Sequence, residues 1–249
     1  MTERPPRVHR LFVDAELGPR LNVELPEAAA HHAARVLRLT DGDAVVLFDG
    51  RGGEYEARLV IPGRGRVSAE TGARRDPERE SPLQVTLVQA ISSSDKMDFT
   101  VQKAVELGVA VIQPVFSARS LVRLSGEREA KKLAHWRRIV IAACEQCGRN
   151  RLPEVREATS VEACSRMPGQ AALCLLLSPE AKAGLKSIKP KVGQGVSLAA
   201  GPEAGFSDEE EKILQRAGFV PLRLGPRILR TETAALAALA GLNVLAGDY

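Results

Sequence analysis

Arg227, Arg230, Thr231 and Thr233 stand close together in the run Leu224 to Leu236, Leu-Gly-Pro-Arg-Ile-Leu-Arg-Thr-Glu-Thr-Ala-Ala-Leu. Two guanidiniums and two hydroxyls at the mouth of an apolar helix suit the binding of anionic or electron-rich groups. Backbone NH groups at a helix start point outward, and the helix dipole adds positive potential there. The preceding run, Phe219 to Leu224, reads as a short strand that Gly225 and Pro226 stop, with Thr231 or Thr233 placed to cap the following helix. A capped helix start with solvated arginines would share this composition.

A second turn of the same kind precedes it. Gly195 to Ala200 reads as a buried strand, and Gly201-Pro202-Glu203-Ala204-Gly205-Phe206-Ser207 leads into a helix. Ser207 and Glu210 fit a capping box, Asp208 and Glu209 fall in the first turn, and Gly218 is the stop. The glycines permit either close approach to a ligand or a left-handed backbone. Neither the Gly-x-Gly-x-x-Gly dinucleotide fingerprint nor a Gly-Lys-Ser/Thr phosphate loop is present.

The elements around these turns alternate. Strands are expected at Leu83 to Ile91, Val109 to Phe116, Ala171 to Leu177, Gly195 to Ala200 and Phe219 to Leu224. Helices are expected at Asp95 to Leu107, at Glu127 to Cys147, after Ser207 and at the C-terminal end. Such alternation implies an α/β layer structure with a mostly parallel sheet. Trp136, Val140, Ala143 and Cys147 give the long helix one apolar face. Ala234 to Ala246 carries no charge and only Asn243 as a clearly polar side chain, so this helix should be buried on every side, within the domain or against a second subunit.

Residues 1–72 read differently, as a small, mainly β domain. Ala44 to Phe48 and Glu54 to Leu59 flank a Gly-rich turn, and Tyr55, Ala57 and Leu59 alternate with Glu54, Glu56 and Arg58 as in a half-buried hairpin. One helix, Pro26 to Leu39, interrupts the strands. Residues 73–82 lack apolar periodicity and read as a linker, leaving 83–249 as the second domain.

The 249 residues, 44% of them hydrophobic, suffice for one large core or two modest ones. A net charge of +4 permits a polyanionic partner without requiring one. The charge is concentrated at Arg4, Arg7, His9 and Arg10, and in Arg119, Arg123, Arg128, Lys131, Lys132, Arg137, Arg138, Arg149 and Arg151. No apolar run approaches the roughly 18 to 20 residues of a membrane span, and no apolar signal core follows the charged start, so a cytoplasmic protein is expected. Cys144 and Cys147 lie within a helix pattern without a second ligand pair, which favours packing residues or free thiols over a zinc site.

The two turns resemble the cofactor loops of the RsmE family, bacterial methyltransferases acting on uridine N3 of 16S ribosomal RNA, within the SPOUT superfamily. Further matches follow in order along the chain. They are His31-His32, Val36-Leu37-Arg38-Leu39, Phe48 to Tyr55, Asp95-Lys96-Met97, Gln102 to Gly108, Ser117-x-Arg119-Ser120 and Glu145-Gln146-x-Gly148-Arg149. Ala204 departs from the glycine usual in the family. The resemblance implies a PUA-like N-terminal β-barrel that holds RNA, and a SPOUT-type α/β domain with a trefoil knot through which homodimers pair. It also implies S-adenosylmethionine as methyl donor, with no metal, and 16S ribosomal RNA or the assembled small subunit as partner.

On that resemblance the cofactor would meet Leu176, Leu177 and Ser178 at one strand end, Gly201, Pro202, Glu203 and Gly205 in the first loop, and Leu224, Gly225, Ile228, Leu229, Arg230 and Thr233 in the second. Loss of the uridine imide proton leaves a negative charge that Arg227 and Arg230 are placed to stabilise. Glu203 and Glu232 are the acidic candidates for taking the proton, with neither preferred. Arg10, His32, Arg38, Lys96, Arg119 and Arg149 are the expected RNA contacts. Lys103 and Glu106 fit an ordinary helical ion pair as well as a functional role. Two other readings stand beside this one: an RNA-binding assembly factor without turnover, and a nucleotide-using metabolic enzyme.

Overall fold

The computed structural model describes residues 8–63, 66–120, 122, 125–167 and 172–249. Arg4, Arg7 and Arg123 of the basic stretches, and Ala171 at the head of one expected strand, lie outside the described residues. The chain divides into two compact units, residues 1–80 with 144–152 and residues 81–143 with 153–249.

In the first unit, strands β1 (His9–Phe12), β2 (Asn22–Glu24), β3 (Ala44–Phe48), β4 (Glu54–Val60) and β5 (Ser68–Arg75) form one sheet in the order β1-β3-β4-β5-β2. The expected hairpin is present as antiparallel β3 and β4, with Val45 opposite Ala57 and Leu47 opposite Tyr55. Leu11, Val45, Leu47, Leu59 and Ala69 are buried in its core. The helix expected from Pro26 to Leu39 is shorter: α1 spans Glu27–His31, continues as a π turn over His32–Val36, and ends before Arg38, whose φ of 55° no helix can continue. Strand β5 runs to Arg75, into the segment read as a linker.

Glu54 breaks the expected alternation, being 7% exposed beside the equally inward Tyr55, and the register shifts between Tyr55 and Ala57. Its carboxylate is met by the guanidiniums of Arg10 and Arg79, the latter at 2.9 Å. Burial pushes the Glu54 carboxyl upward, but hydrogen bonds from Arg79 and Arg10 outweigh this and hold its pKa at about 2. Arg10 also donates to the Arg149 carbonyl and to the Asn150 side-chain oxygen, while Arg149 Nε lies 3.1 Å from each carboxylate oxygen of Glu80. These contacts give residues 144–152 a place in this unit that chain order conceals.

The second unit contains β6 (Gln84–Ala90), α2 (Ser94–Glu106), β7 (Val111–Phe116) and most of α3 (Glu127–Cys147). After these come β8 (Glu154–Val155), β9 (Thr159–Ser160), α4 (Val161–Ser165), β10 (Leu173–Leu177) and β11 (Gly195–Ala200). The remaining elements are α5 (Asp208–Arg216), β12 (Val220–Leu222) and α6 (Thr231–Ala246). The strand order is β12-β10-β11-β6-β7-β8, with β9 also on β7, and every pairing is parallel. Helices must cover both faces of such a sheet, which is why Leu173–Leu177 and Gly195–Ala200 read as continuous apolar runs. The α/β class matches the expectation. Strand β10 lies between β11 and β12, so successive connections run to opposite sides of it, the kind of switch beside which α/β sheets bind ligands.

On α3 the expected apolar face holds at Trp136, Val140 and Ala143, but its fourth member is buried Cys144, not the half-buried Cys147. Burial raises the Cys144 thiol to about 12, which keeps it a protonated packing residue at neutral pH. Helix α6 packs on α2, β6 and β11, burying Ala235, Ala238, Leu239 and Leu242. Asn243, also buried, donates to the Leu107 carbonyl at 2.8 Å and accepts from the Ser81 hydroxyl at 2.8 Å. Within the single chain Val244 is 66% and Leu245 42% exposed, so burial inside the domain does not by itself account for the apolar helix.

Candidate functional site

The carboxyl ends of β10, β11 and β12 open into one recess, lined by Leu177, Ala200 and Leu222 and by the loops that follow them. The first loop contributes Gly201, Pro202, Glu203 and Gly205, and the second contributes Arg223, Leu224, Arg227, Ile228 and Leu229. Ser178 and Pro179 from the β10 end, and Thr231 and Ala234 from α6, complete it. Aliphatic side chains therefore form much of the wall, with a few polar groups converging on it, as in most small-molecule sites.

The first loop is braced from several directions. Gly205 NH donates to the Pro202 carbonyl at 2.8 Å, closing a tight turn. A Cβ on Gly201 would stand 2.8 Å from the Phe206 nitrogen, so this position tolerates only glycine without moving backbone. The capping box of α5 is present: Glu210 accepts from the Ser207 NH at 2.8 Å, and Glu210 NH donates to the Ser207 hydroxyl. The Glu210 carboxylate also accepts from Ala118 NH at 2.8 Å and from the Ser117 hydroxyl at 2.9 Å. Burial raises the Glu210 carboxyl, but these bonds outweigh it and leave the pKa below the usual carboxylate value.

Thr231 joins the two loops. Its hydroxyl donates to the Gly201 carbonyl at 2.5 Å and accepts from Gln89 Nε2 at 3.1 Å. The expected capping role of Thr231 or Thr233 is thus corrected: Arg230 is the N-cap of α6, no side chain caps it, and Thr231 is spent on tertiary bonds.

The structure sorts the residues expected from sequence. Leu177, Ser178, Gly201, Pro202, Glu203, Gly205, Leu224, Arg227, Ile228 and Leu229 line the recess together. Leu176, Gly225, Arg230, Glu232 and Thr233 do not line it; Leu176 is wholly enclosed in the sheet, and Thr233 is exposed on α6. Ala204 is exposed and outside the lining, so its methyl group does not narrow the recess. Arg223 and Thr231 line it but escaped sequence reasoning. Arg223 falls within the run read as a strand, and Thr231 reads as one of two cap candidates.

Glu203 fails the requirement of a raised pKa. Burial pushes its carboxyl upward, but its own NH, the Lys96 side chain and the Ser93 NH outweigh that and hold the pKa below the ordinary value. Lys96 Nζ lies 3.0 Å from Glu203, and Arg119 donates to the carbonyls of Phe206 at 3.0 Å and Ala204 at 3.4 Å. Both residues, expected to touch RNA, brace the first loop. Arg10 and Arg149 are also corrected as RNA contacts, because their side chains are 12% and 5% exposed within ion pairs of the first unit. His32 is partly exposed, 3.7 Å from Glu145, and Arg38 is exposed. Lys103 and Glu106 form the ordinary helical pair at 2.7 Å.

Residues 79–243 match the RNA methyltransferase domain family, and residues 25–71 match the RNA methyltransferase PUA domain. The ribosomal RNA small subunit methyltransferase E of Buchnera aphidicola is 34% identical over 97% of this chain and 98% of its own length. The enzyme of the same name from Neisseria gonorrhoeae, solved with S-adenosylmethionine, is 40% identical. It superposes with a TM-score of 0.89 over 98% of this chain and 100% of that one. A methyltransferase from Legionella pneumophila, solved with the same bound cofactor, is 39% identical, with a TM-score of 0.93 over 98% and 100% of the two chains.

Proposed function

This chain belongs to the RsmE family of ribosomal RNA small subunit methyltransferases, and from that premise we propose that it methylates N3 of one uridine in 16S ribosomal RNA, using S-adenosylmethionine. The observation that carries the reading is the recess at the ends of three parallel strands, whose two loops are joined by the bond from Thr231 to the Gly201 carbonyl. Its lining fits the cofactor. Leu177, Leu222, Leu224 and Leu229 offer an apolar enclosure for the adenine, while the backbone of the first loop offers hydrogen bonds to the ribose. When bound, S-adenosylmethionine would supply a methyl group on a cationic sulfur, to be transferred to N3 with the C–S electron pair left on sulfur.

The chain's own residues supply charge and position. Arg227 stabilises the uridine imide anion once the N3 proton has left, by hydrogen bonds to the flanking carbonyl oxygens. Arg230, the α6 N-cap, lies outside the recess lining. Glu203, held ionised by Lys96, places a negative charge in the recess that complements the sulfonium instead of accepting the proton. The proton leaves to water at the open mouth. Glu232 lies outside the lining, with one buried carboxylate oxygen unpaired.

Calorimetry tests the cofactor assignment. The wild-type chain binds S-adenosylmethionine with one site per chain, and absence of binding in a folded sample would remove the reading. Gly201→Ala forces the Phe206 backbone aside and should weaken binding about tenfold, since overpacking costs about 1–3 kcal/mol.

The active form in this proposal is a homodimer, with the C-terminal helix knotted through the preceding chain. The exposed apolar residues Val244 and Leu245 of α6 support the pairing, because a second copy would remove them from water. Val244→Glu should convert the dimer to a folded monomer in sedimentation equilibrium, whereas a wild-type chain that is already monomeric would refute the pairing. A cytoplasmic location follows from the ribosomal substrate; among the described residues no helix is long and apolar enough to cross a membrane.

A further inference from the structure

The first unit contains a second cleft, lined by Arg51, Gly52, Gly53, Arg74, Asp76, Pro77, Glu78, Asn150 and Arg151. We propose that this cleft binds a phosphodiester of the RNA substrate, through the Asn150 amide and the guanidiniums of Arg51 and Arg151. The inference rests on the RNA substrate proposed above and supplies contacts in place of the buried Arg10 and Arg149.

Asn150 carries the argument. It is 4% exposed, its side-chain oxygen accepts from Arg10, and its Nδ2 is buried without a hydrogen-bond partner. The Arg10 bond fixes the orientation of the amide, since an arginine cannot face the NH2 end. A buried donor left unpaired costs about 1–3 kcal/mol, and an anionic oxygen in the cleft would relieve that cost.

The surrounding residues are arranged for the same ligand. Gly52 NH donates to the Asn150 carbonyl and Leu152 NH to the Gly50 carbonyl, each at 3.1 Å, which fixes the Gly-rich turn against residues 150–152. Arg151 Nη1 donates to the Arg51 carbonyl at 2.9 Å, and its guanidinium lies so close over Gly52 that a Cβ there would come within 3.0 Å of it. A larger residue at Gly52 would push that guanidinium aside. Of the two carboxylates in the lining, Asp76 is paired with Arg74 at 2.7 Å, and Glu78 accepts from the NH groups of Arg79 and Glu80. Three guanidiniums against two carboxylates leave the cleft positive, and guanidiniums match phosphate oxygens in geometry.

Asn150→Asp keeps the oxygen that Arg10 needs and replaces only the unpaired donor, and Arg51→Gln removes an exposed charge. The test measures binding of 16S ribosomal RNA by fluorescence across a salt series, with calorimetry for S-adenosylmethionine on the same samples. Each variant should bind RNA about tenfold more weakly with cofactor affinity unchanged, and Arg51→Gln should also lower the salt slope by about one. Wild-type RNA affinity in both folded variants would overturn the proposal. So would inorganic phosphate binding that Asn150→Asp abolishes without altering RNA affinity, which would assign the cleft to the free ion. A wild-type chain that binds the cofactor but no RNA would instead fail the RNA reading itself, and this subsite with it.

Discussion

Arg227→Ala should lower kcat for methyl transfer by about 10²- to 10³-fold, the range found when one donor to a developing oxyanion is removed. Arg227 and Arg223 are the arginines among the recess-lining residues, and Arg227 is the one that lies between the aliphatic residues of the second loop. A guanidinium beside the flanking carbonyls favours the ionised imide and so lowers the pKa of the bound uridine. The variant's loss should therefore shrink as pH rises toward the ionisation range of the unbound imide, while the wild-type rate levels off earlier. The S-adenosylmethionine Kd should change little. A variant with a proportionally lower rate at all pH values would show that Arg227 positions the substrate without stabilising its anion. Full activity would remove it from the chemistry.

Glu54→Gln should destabilise the first unit by about 3–5 kcal/mol, because it leaves the buried Arg10 guanidinium without its carboxylate counter-ion. Arg10 is enclosed with Glu54, and its ring-face contact with Phe48 at 4.8 Å leaves it little route to water. The pH dependence carries a definite sign. The folded-state pKa of Glu54 is about 2, below the ordinary 4.5, so its stabilisation is fully present above that ordinary value. It is lost as pH falls through 4.5 toward 2, because the unfolded chain takes up the proton first. Denaturant titrations across pH 7 to 2 should show the wild type losing stability in that window and Glu54→Gln losing less. Equal acid sensitivity in both chains would show that Glu54 is not held ionised by its arginines.

Local pattern made much of this molecule legible. Alternating strands and helices gave the parallel sheet, and Ser207 with Glu210 gave the capping box, because propensity and capping act over a few residues. The two glycine-containing turns pointed to the recess for the same reason. What remained hidden depends on residues distant in sequence. Glu54 reads as the polar side of a hairpin until Arg10 and Arg79 meet it, and Arg149 reads as a loop cation until Glu80 encloses it. Thr231 has the right type and place for a helix cap, but the Gly201 carbonyl, thirty residues earlier, claims its hydroxyl. Arg119 and Arg149 match family motifs and Arg10 belongs to the basic start of the chain, but exposure decides which arginines can reach RNA. Arg51, in a Gly-rich turn that reads simply as a hairpin connection, is exposed where Arg10 is not.

The most direct test is base-resolved mass mapping of 16S ribosomal RNA after unmodified small subunits are incubated with the purified chain and S-adenosylmethionine. The account predicts one new methyl group, on N3 of a single uridine, absent when Arg227→Ala is assayed for the same short time. A methyl group on another atom or base, or none with a chain that binds the cofactor, would contradict it.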